Sequence, residues 1–149
     1  MRAAKVEKSV LIERSAKQMF DLVENIESYP KFLPCCGGTR VDYRDDKKTI
    51  ATLYVDFLNI RSSLTTENEK DYPERMNLRL VRGPFRHLDG VWNFKRLTEN
   101  ACKVDFSLSY AFSSRVLEKL LAPMFETLAD TFVEAFVKRA NEVYGAANG

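Results

Sequence analysis

Residues 117–143 read LEKLLAPMFETLADTFVEAFVKRANEV, and this stretch decides the fold. Leu117, Leu120, Leu121, Met124, Phe125, Leu128, Phe132, Phe136, Ala140 and Val143 recur at steps of three and four, the spacing of a helix with one apolar side. At about 1.5 Å per residue, a helix of roughly 30 residues runs about 45 Å, longer than packing within a domain of this size requires. Pro123 falls inside the stripe. It is expected to kink the helix, or to mark the junction between a short helix and a main one starting near Ala122.

Ahead of this stretch the chain reads as strands. They are expected over 39–43, 49–57, 60–68, 76–81, 88–97 and 102–112, with turns at Asp45-Asp46-Lys47-Lys48, Lys70-Asp71-Tyr72-Pro73 and Thr98-Glu99-Asn100. The last strand alternates most cleanly, with Cys102, Val104, Phe106, Leu108, Tyr110 and Phe112 against Lys103, Asp105, Ser107, Ser109 and Ala111. One wet and one dry face mean an antiparallel sheet covered on a single side. Residues 5–13 add a first strand with Val6, Val10 and Ile12 on one face. Ser15 then reads as the N-cap of a helix that ends near Asn25. Pro30 and Pro34 limit the next piece to a turn or one helical turn, closed by Gly37-Gly38. The expected architecture is α+β: a curved antiparallel sheet wrapped around one long C-terminal helix. It forms a single domain over 1–149, with 144–149 a frayed tail.

The 149 residues are 45% hydrophobic and 30% charged, which suits one soluble domain with a real core. Charges interrupt every apolar run short of the ~20 residues a bilayer requires. The start, Met1 to Lys8, is charged with no apolar block behind it, so it is not read as a secretory signal. A bacterial cytoplasmic protein is expected, in a position to touch the inner membrane peripherally. The formal charge of +2 does not call for a nucleic-acid partner, and DNA is not expected; it permits weak attraction to anionic lipid or RNA. Cys102 reads as a buried thiol, and the adjacent Cys35 and Cys36 do not readily bridge each other. With one histidine in the chain, no metal site is expected.

No catalytic constellation can be assembled. His87, beside a Gly-Pro turn, reads as an exposed loop histidine; Gly-x-Ser-x-Gly is absent and Gly37-Gly38 lacks the lysine of a phosphate loop. Arg79, Arg82, Phe85, Arg86 and His87 form a small basic cluster with one aromatic, able to touch phosphates and stack a base. The larger feature is apolar bulk. Strand alternation points Leu53, Val55, Phe57, Leu64, Met76, Leu78, Leu80, Trp92, Phe94, Phe106 and Leu108 at the helix, where Phe125, Leu128 and Phe132 face them. These side chains either interlock as core or enclose a cavity. A dry cavity of ~300 Å³, the small end of ligand pockets, costs about 7 kcal/mol at ~24 cal/mol per Å³. A cavity that large tends to collapse, flex or hold a greasy guest.

Three segments carry a resemblance: Val23-Glu24-Asn25-Ile26-Glu27-Ser28-Tyr29-Pro30-Lys31-Phe32-Leu33-Pro34-Cys35-Cys36, Val81-Arg82-Gly83-Pro84-Phe85-Arg86-His87-Leu88-Asp89-Gly90-Val91-Trp92-Asn93-Phe94, and residues 135–144. With them the chain resembles the coenzyme Q-binding START-like family, part of the wider polyketide cyclase/START superfamily. That family takes in mitochondrial coenzyme Q-binding proteins and bacterial ribosome-association toxins of the RatA type. The resemblance implies a helix-grip (START-like, Bet v 1-like) fold of about seven antiparallel strands. It also implies no enzymatic activity, no covalent cofactor, and ubiquinone or a related prenyl lipid as bound ligand in support of respiratory electron transport. The alternative it implies is binding to the large ribosomal subunit so as to block subunit association.

Tyr29, Phe32, Leu33 and Phe85 from these motifs complete the expected ligand-contacting set. Pro30 and Pro34 stiffen an apolar lid carrying Phe32 and Leu33, and Gly83-Pro84-Phe85 forms a second apolar loop. If both overhang one end of the helix, they make an entrance that dips into a membrane, with Lys31, Arg82 and Arg86 beside anionic headgroups. Lys31, Arg79, Arg82 and Arg86 are the expected membrane or ribosome contacts.

Overall fold

The apolar stripe lies on one continuous helix, α2 (Arg115–Tyr144), in the computed structural model, which describes residues 3–145. Ser114 caps it, its Oγ accepting from the Leu117 N–H at 3.1 Å. Pro123 sits inside the helix without dividing it, so the expected two-helix junction does not occur. Leu121, Met124, Phe125, Leu128, Ala129, Val133, Phe136 and Ala140 are buried. Leu120 and Val143 belong to the sequence stripe yet stand half-exposed; Leu120 lies about 100° around the helix from buried Leu121. Of the tail expected to fray over 144–149, Tyr144 is the last residue of α2, its O–H donating to the Gln18 carbonyl at 3.2 Å, and residues 146–149 lie outside the described residues.

Seven strands form one antiparallel sheet: β1 (Ala4–Ile12), β2 (Cys36–Arg44), β3 (Lys48–Phe57), β4 (Ile60–Asp71), β5 (Arg75–Arg82), β6 (Phe85–Thr98) and β7 (Ala101–Phe112). Their order across the sheet is β1-β7-β6-β5-β4-β3-β2. After β1 the chain crosses to the far edge through α1 (Ala16–Glu24) and a short 3-10 helix (Ile26–Lys31), then returns hairpin by hairpin. α1 starts with a capping box: Ser15 Oγ accepts from the Gln18 N–H at 3.0 Å, and Gln18 Oε1 from the Ser15 N–H at 2.9 Å.

Two strands begin earlier than their local signals suggest. β2 takes in Gly37 and Gly38, with a register shift between Cys36 and Gly38. β6 takes in Phe85, Arg86 and His87, pairing Phe85 with Phe112 and His87 with Ala111. The Gly83-Pro84 turn is therefore shorter than the expected loop, and His87 is a strand residue whose Nε2 lies 3.2 Å from Ser109 Oγ.

Hairpin order sorts the connections. The β3–β4 turn, the β5–β6 turn and the β7–α2 junction share one end of the sheet with the start of α2. The β2–β3, β4–β5 and β6–β7 turns lie at the other end. The Ser113 N–H donates to the Pro84 carbonyl at 3.0 Å, tying two of the first set together.

The space between sheet and α2 holds two apolar clusters. One gathers Met19, Phe20, Val23, Trp92, Phe94, Phe106 and Phe136. The other gathers Val55, Leu64, Phe85, Tyr110, Phe112, Leu121, Met124 and Phe125 at the end where α2 begins. Cys102, fully buried, lies in the first cluster as expected.

Candidate functional site

Strand alternation places Leu64, Thr66 and Asn68 of β4 on the face that looks towards α2, opposite Leu53, Ala51 and Thr49 of β3. Where the two clusters meet, these side chains stop short of α2 and leave a cavity of about 80 Å³. Its walls are Val23, Ile26, Tyr29, Ala51, Leu53, Leu64, Thr66, Asn68, Met76, Leu78, Leu88, Trp92, Phe106, Leu108, Phe125, Leu128, Ala129 and Phe132. That volume is well below the ~300 Å³ at which small-molecule pockets begin. Most of the facing side chains interlock.

Of the residues expected to contact a ligand, Tyr29, Leu53, Leu64, Met76, Leu78, Trp92, Phe106, Leu108, Phe125, Leu128 and Phe132 line this cavity. Leu33, Val55, Phe57, Leu80, Phe85, Phe94 and Phe32 do not. Phe94 stacks on Trp92 at 5.8 Å and meets Phe20 edge-on at 5.6 Å, inside solid core. Val55 and Phe85 belong to the second cluster, and Phe57 and Leu80 pack against its edge. Val23, Ile26, Ala51, Leu88 and Ala129 line it too, and so does the polar pair Thr66 and Asn68. Leu88 shares the parity of Trp92 in β6, a signal the sequence carried; the threonine and asparagine share the parity of Leu64 but not its polarity.

The paired exposed lids are corrected. Leu33 is buried, and Phe32 packs edge-on to Phe136 at 5.1 Å and Tyr29 at 6.0 Å, with the Arg139 guanidinium 5.4 Å over its ring. Phe85 is buried against Phe125 at 4.9 Å and Phe112 at 5.0 Å. The helix partners Phe136 and Phe125 lie three turns apart, about 16 Å along the axis. The two motifs therefore do not overhang one end, and neither offers a phenylalanine to a membrane. Lys31, exposed beside Phe32, is separated in the same way from Arg82 and Arg86 at the Gly83-Pro84 turn. Arg79 is ion-paired to Glu67 across the β4–β5 ladder, and Arg82 lies 4.0 Å from Asp42. Those two guanidiniums meet carboxylates on the outer face of the sheet.

The chemistry of the cavity is sparse. The Tyr29 O–H donates to the Val23 carbonyl, and burial pushes its phenol well above the usual range, so it stays a neutral donor. The Thr66 O–H donates to Asn68 Oδ1 at 2.8 Å, which leaves the Asn68 amide nitrogen as the polar donor of the wall. No lining residue is a carboxylate, imidazole, thiol or amine. Behind the wall, Lys70 Nζ lies 2.6 Å from Glu24 Oε2, and Glu24 also accepts from Thr49 Oγ1 at 2.9 Å and meets Arg44 Nε at 3.3 Å. Lys70 is only 7% exposed there. Among the described residues, no group of His, Cys, Asp or Glu is placed to hold a metal, and no helix is long and apolar enough to cross a membrane.

The family model for polyketide cyclase/dehydrase and lipid transport proteins matches residues 12–137. The ribosome association toxin RatA of Vibrio cholerae is 39% identical over 140 residues, covering 94% of this chain and 97% of that protein. A mitochondrial coenzyme Q-binding protein COQ10 homolog B from Xenopus laevis is 28% identical over 135 residues, covering 88% of this chain and 55% of that protein. Among solved structures, the Zhui aromatase/cyclase from a Streptomyces species superposes with a TM-score of 0.82 over 97% of this chain and 98% of that one. At 14% identity it speaks for the fold alone: a START-like antiparallel sheet gripping a C-terminal helix.

Proposed function

Because the chain belongs to the polyketide cyclase/dehydrase and lipid transport family, we propose that it is a non-enzymatic binder of ubiquinone or a related prenyl lipid, held between the sheet and α2 and serving respiratory electron transport. The observation that carries this reading is a cavity walled by hydrocarbon, with one polar station at Thr66 and Asn68. Such a wall matches a long apolar tail with a carbonyl-bearing head. The likeness to a coenzyme Q-binding protein homologue supports it.

Energetics bear on the 80 Å³ volume. Opening the groove to ~300 Å³ costs about 5 kcal/mol at ~24 cal/mol per Å³. Each buried isoprene unit returns up to ~4 kcal/mol at ~0.8 kcal/mol per carbon group. Two units therefore suffice to hold the groove open, and a guest of this class enters by spreading α2 from the sheet. The Asn68 amide would then donate to a head-group carbonyl.

Organic extraction of purified protein followed by mass spectrometry tests this. A stoichiometric quinone is expected, and Asn68→Leu should lower its occupancy. Repeated extracts free of prenyl lipid, with no thermal shift on adding a short-chain quinone, would overturn the reading.

A second reading, ribosome association, is supported by the 39% identity to RatA along nearly the whole chain. It expects co-sedimentation with large ribosomal subunits that weakens steeply with salt. Neutralising Arg79, Arg82 and Arg86 should reduce it. The carboxylates beside Arg79 and Arg82 make each of these a weaker phosphate contact than an isolated guanidinium.

A further inference from the structure

We propose that the end of the molecule where α2 begins is a docking surface for an anionic lipid bilayer. Three connections meet there, at Leu58-Asn59, Gly83-Pro84 and Ser113-Ser114, together with the first two turns of α2. None of these six connecting residues is acidic. At the opposite end, by contrast, Asp45, Asp46, Glu74 and Glu99 outnumber Lys47 in the turns.

Apolar groups at this end face water. Leu58 is 79% exposed, Val116 76% and Leu120 50%. Val116 and Leu120 are one helical turn apart and so form a single ridge on α2. Leu58 is the sharper observation. Its φ of 50° and that of 67° at Asn59 make the two-residue turn that suits a twisted hairpin, but leucine enters that region reluctantly. Neither backbone preference nor packing accounts for leucine at the tip. A side chain that inserts among acyl chains does.

Cations stand at the same end of the molecule. Arg61 is 83% exposed at the base of the β3–β4 turn, and Arg115 and Lys119 are exposed in the first turns of α2. Asp56 beside Arg61 and Glu118 are the acids of this rim. Aliphatic tips within a cationic rim fit a bilayer carrying anionic headgroups. They fit RNA less well, because the exposed apolar groups are aliphatic and offer no ring for base stacking.

The surface goes beyond the cavity reading and does not depend on it: extraction reports on the cavity, flotation on this end. The test is flotation of the full chain with phosphatidylcholine vesicles prepared with and without phosphatidylglycerol. Binding is expected only with the anionic lipid. The double variant Leu58→Ser, Val116→Ser should abolish it, while Leu97→Ser, a half-exposed leucine at the opposite end, should not. Arg115→Gln with Lys119→Gln should weaken binding about 25-fold at low salt, roughly fivefold per charge. All these positions are exposed, so unfolding midpoints should stay unchanged. Flotation that ignores the Leu58/Val116 pair would overturn the proposal, as would equal binding to neutral vesicles or none at low salt. So would salt-sensitive retention on RNA that is indifferent to the same pair, in favour of a nucleic-acid surface.

Discussion

Glu24 shows how one side chain joins distant parts of this chain. It sits at the end of α1 and takes Lys70 of β4, Thr49 of β3 and Arg44 of β2. The partners are unequal in their alternatives. Lys70→Met leaves Glu24 with Arg44 and Thr49, and the methionine stem follows the path of the lysine. Glu24→Ala strands an ammonium that is only 7% exposed. Removing one partner of a buried pair costs about 3–5 kcal/mol, whereas an apolar replacement of similar shape is often close to neutral. Glu24→Ala should therefore lower the urea midpoint strongly and Lys70→Met only slightly. Equal losses would mean that the ammonium finds water by a small rearrangement.

At the scale of elements, local chemistry sets the turns and tertiary pairing sets the strand ends. The β2–β3 turn is held by Asp45, whose carboxylate accepts from the Tyr43 O–H at 2.6 Å and from the Lys47 and Lys48 N–H groups at 2.8 Å. These bonds hold its pKa at about 2, below the usual carboxylate value. A folded pKa below the unfolded one stabilises above the unfolded value, about 4, and that contribution is lost as pH falls towards 2. Asp45→Asn should thus be less stable than wild type at neutral pH, and chemical denaturation should show the two converging by pH 2. A gap that persists at pH 2 would assign the effect to something other than the charge. In α2, Pro123 lacks the N–H that would reach the Lys119 carbonyl, and it is exposed. Pro123→Ala should stabilise by up to ~3 kcal/mol and slow hydrogen exchange at the start of the helix. These elements were legible in the sequence because alternation and the three–four stripe are local patterns. The starts of β2 and β6 were not, because Gly37-Gly38 and Gly83-Pro84-Phe85 read as breakers. The partner strands β3 and β7 bring Gly38 and Phe85 into the ladder. Most of the large apolar cavity residues were legible; Val23, Ile26 and Leu88 also line the cavity but were not in the expected set. Ala51, Ala129, Thr66 and Asn68 escaped because small or polar side chains on an inward face give no hydropathy signal; strand parity would have found Ala51, Thr66 and Asn68, and the three–four helical spacing Ala129.

At the scale of the whole molecule, the question is whether sheet and helix meet as a solid core or as a grip that can open. The volume left between them, about 80 Å³, is small enough to be a packing defect and lies where two separately packed clusters join. A substitution that fills it distinguishes the cases by sign. Ala129 lines the cavity from α2 and is itself buried. In a solid core Ala129→Leu overpacks and costs about 1–3 kcal/mol. In a grip the added methyl groups occupy existing space, and the protein should gain up to ~2 kcal/mol at ~24 cal/mol per Å³. The same leucine stands where a guest would lie, so the stabilised variant should lose its thermal response to a short-chain quinone. That response in wild type grows as RT ln(1 + [L]/Kd), about 2.7 kcal/mol at a hundredfold excess over Kd. A rise in the unfolding midpoint together with a lost quinone response is the expected pair of outcomes, read from one set of melting curves. A fall in the midpoint would mean that the two surfaces interlock and that a guest must find its place elsewhere.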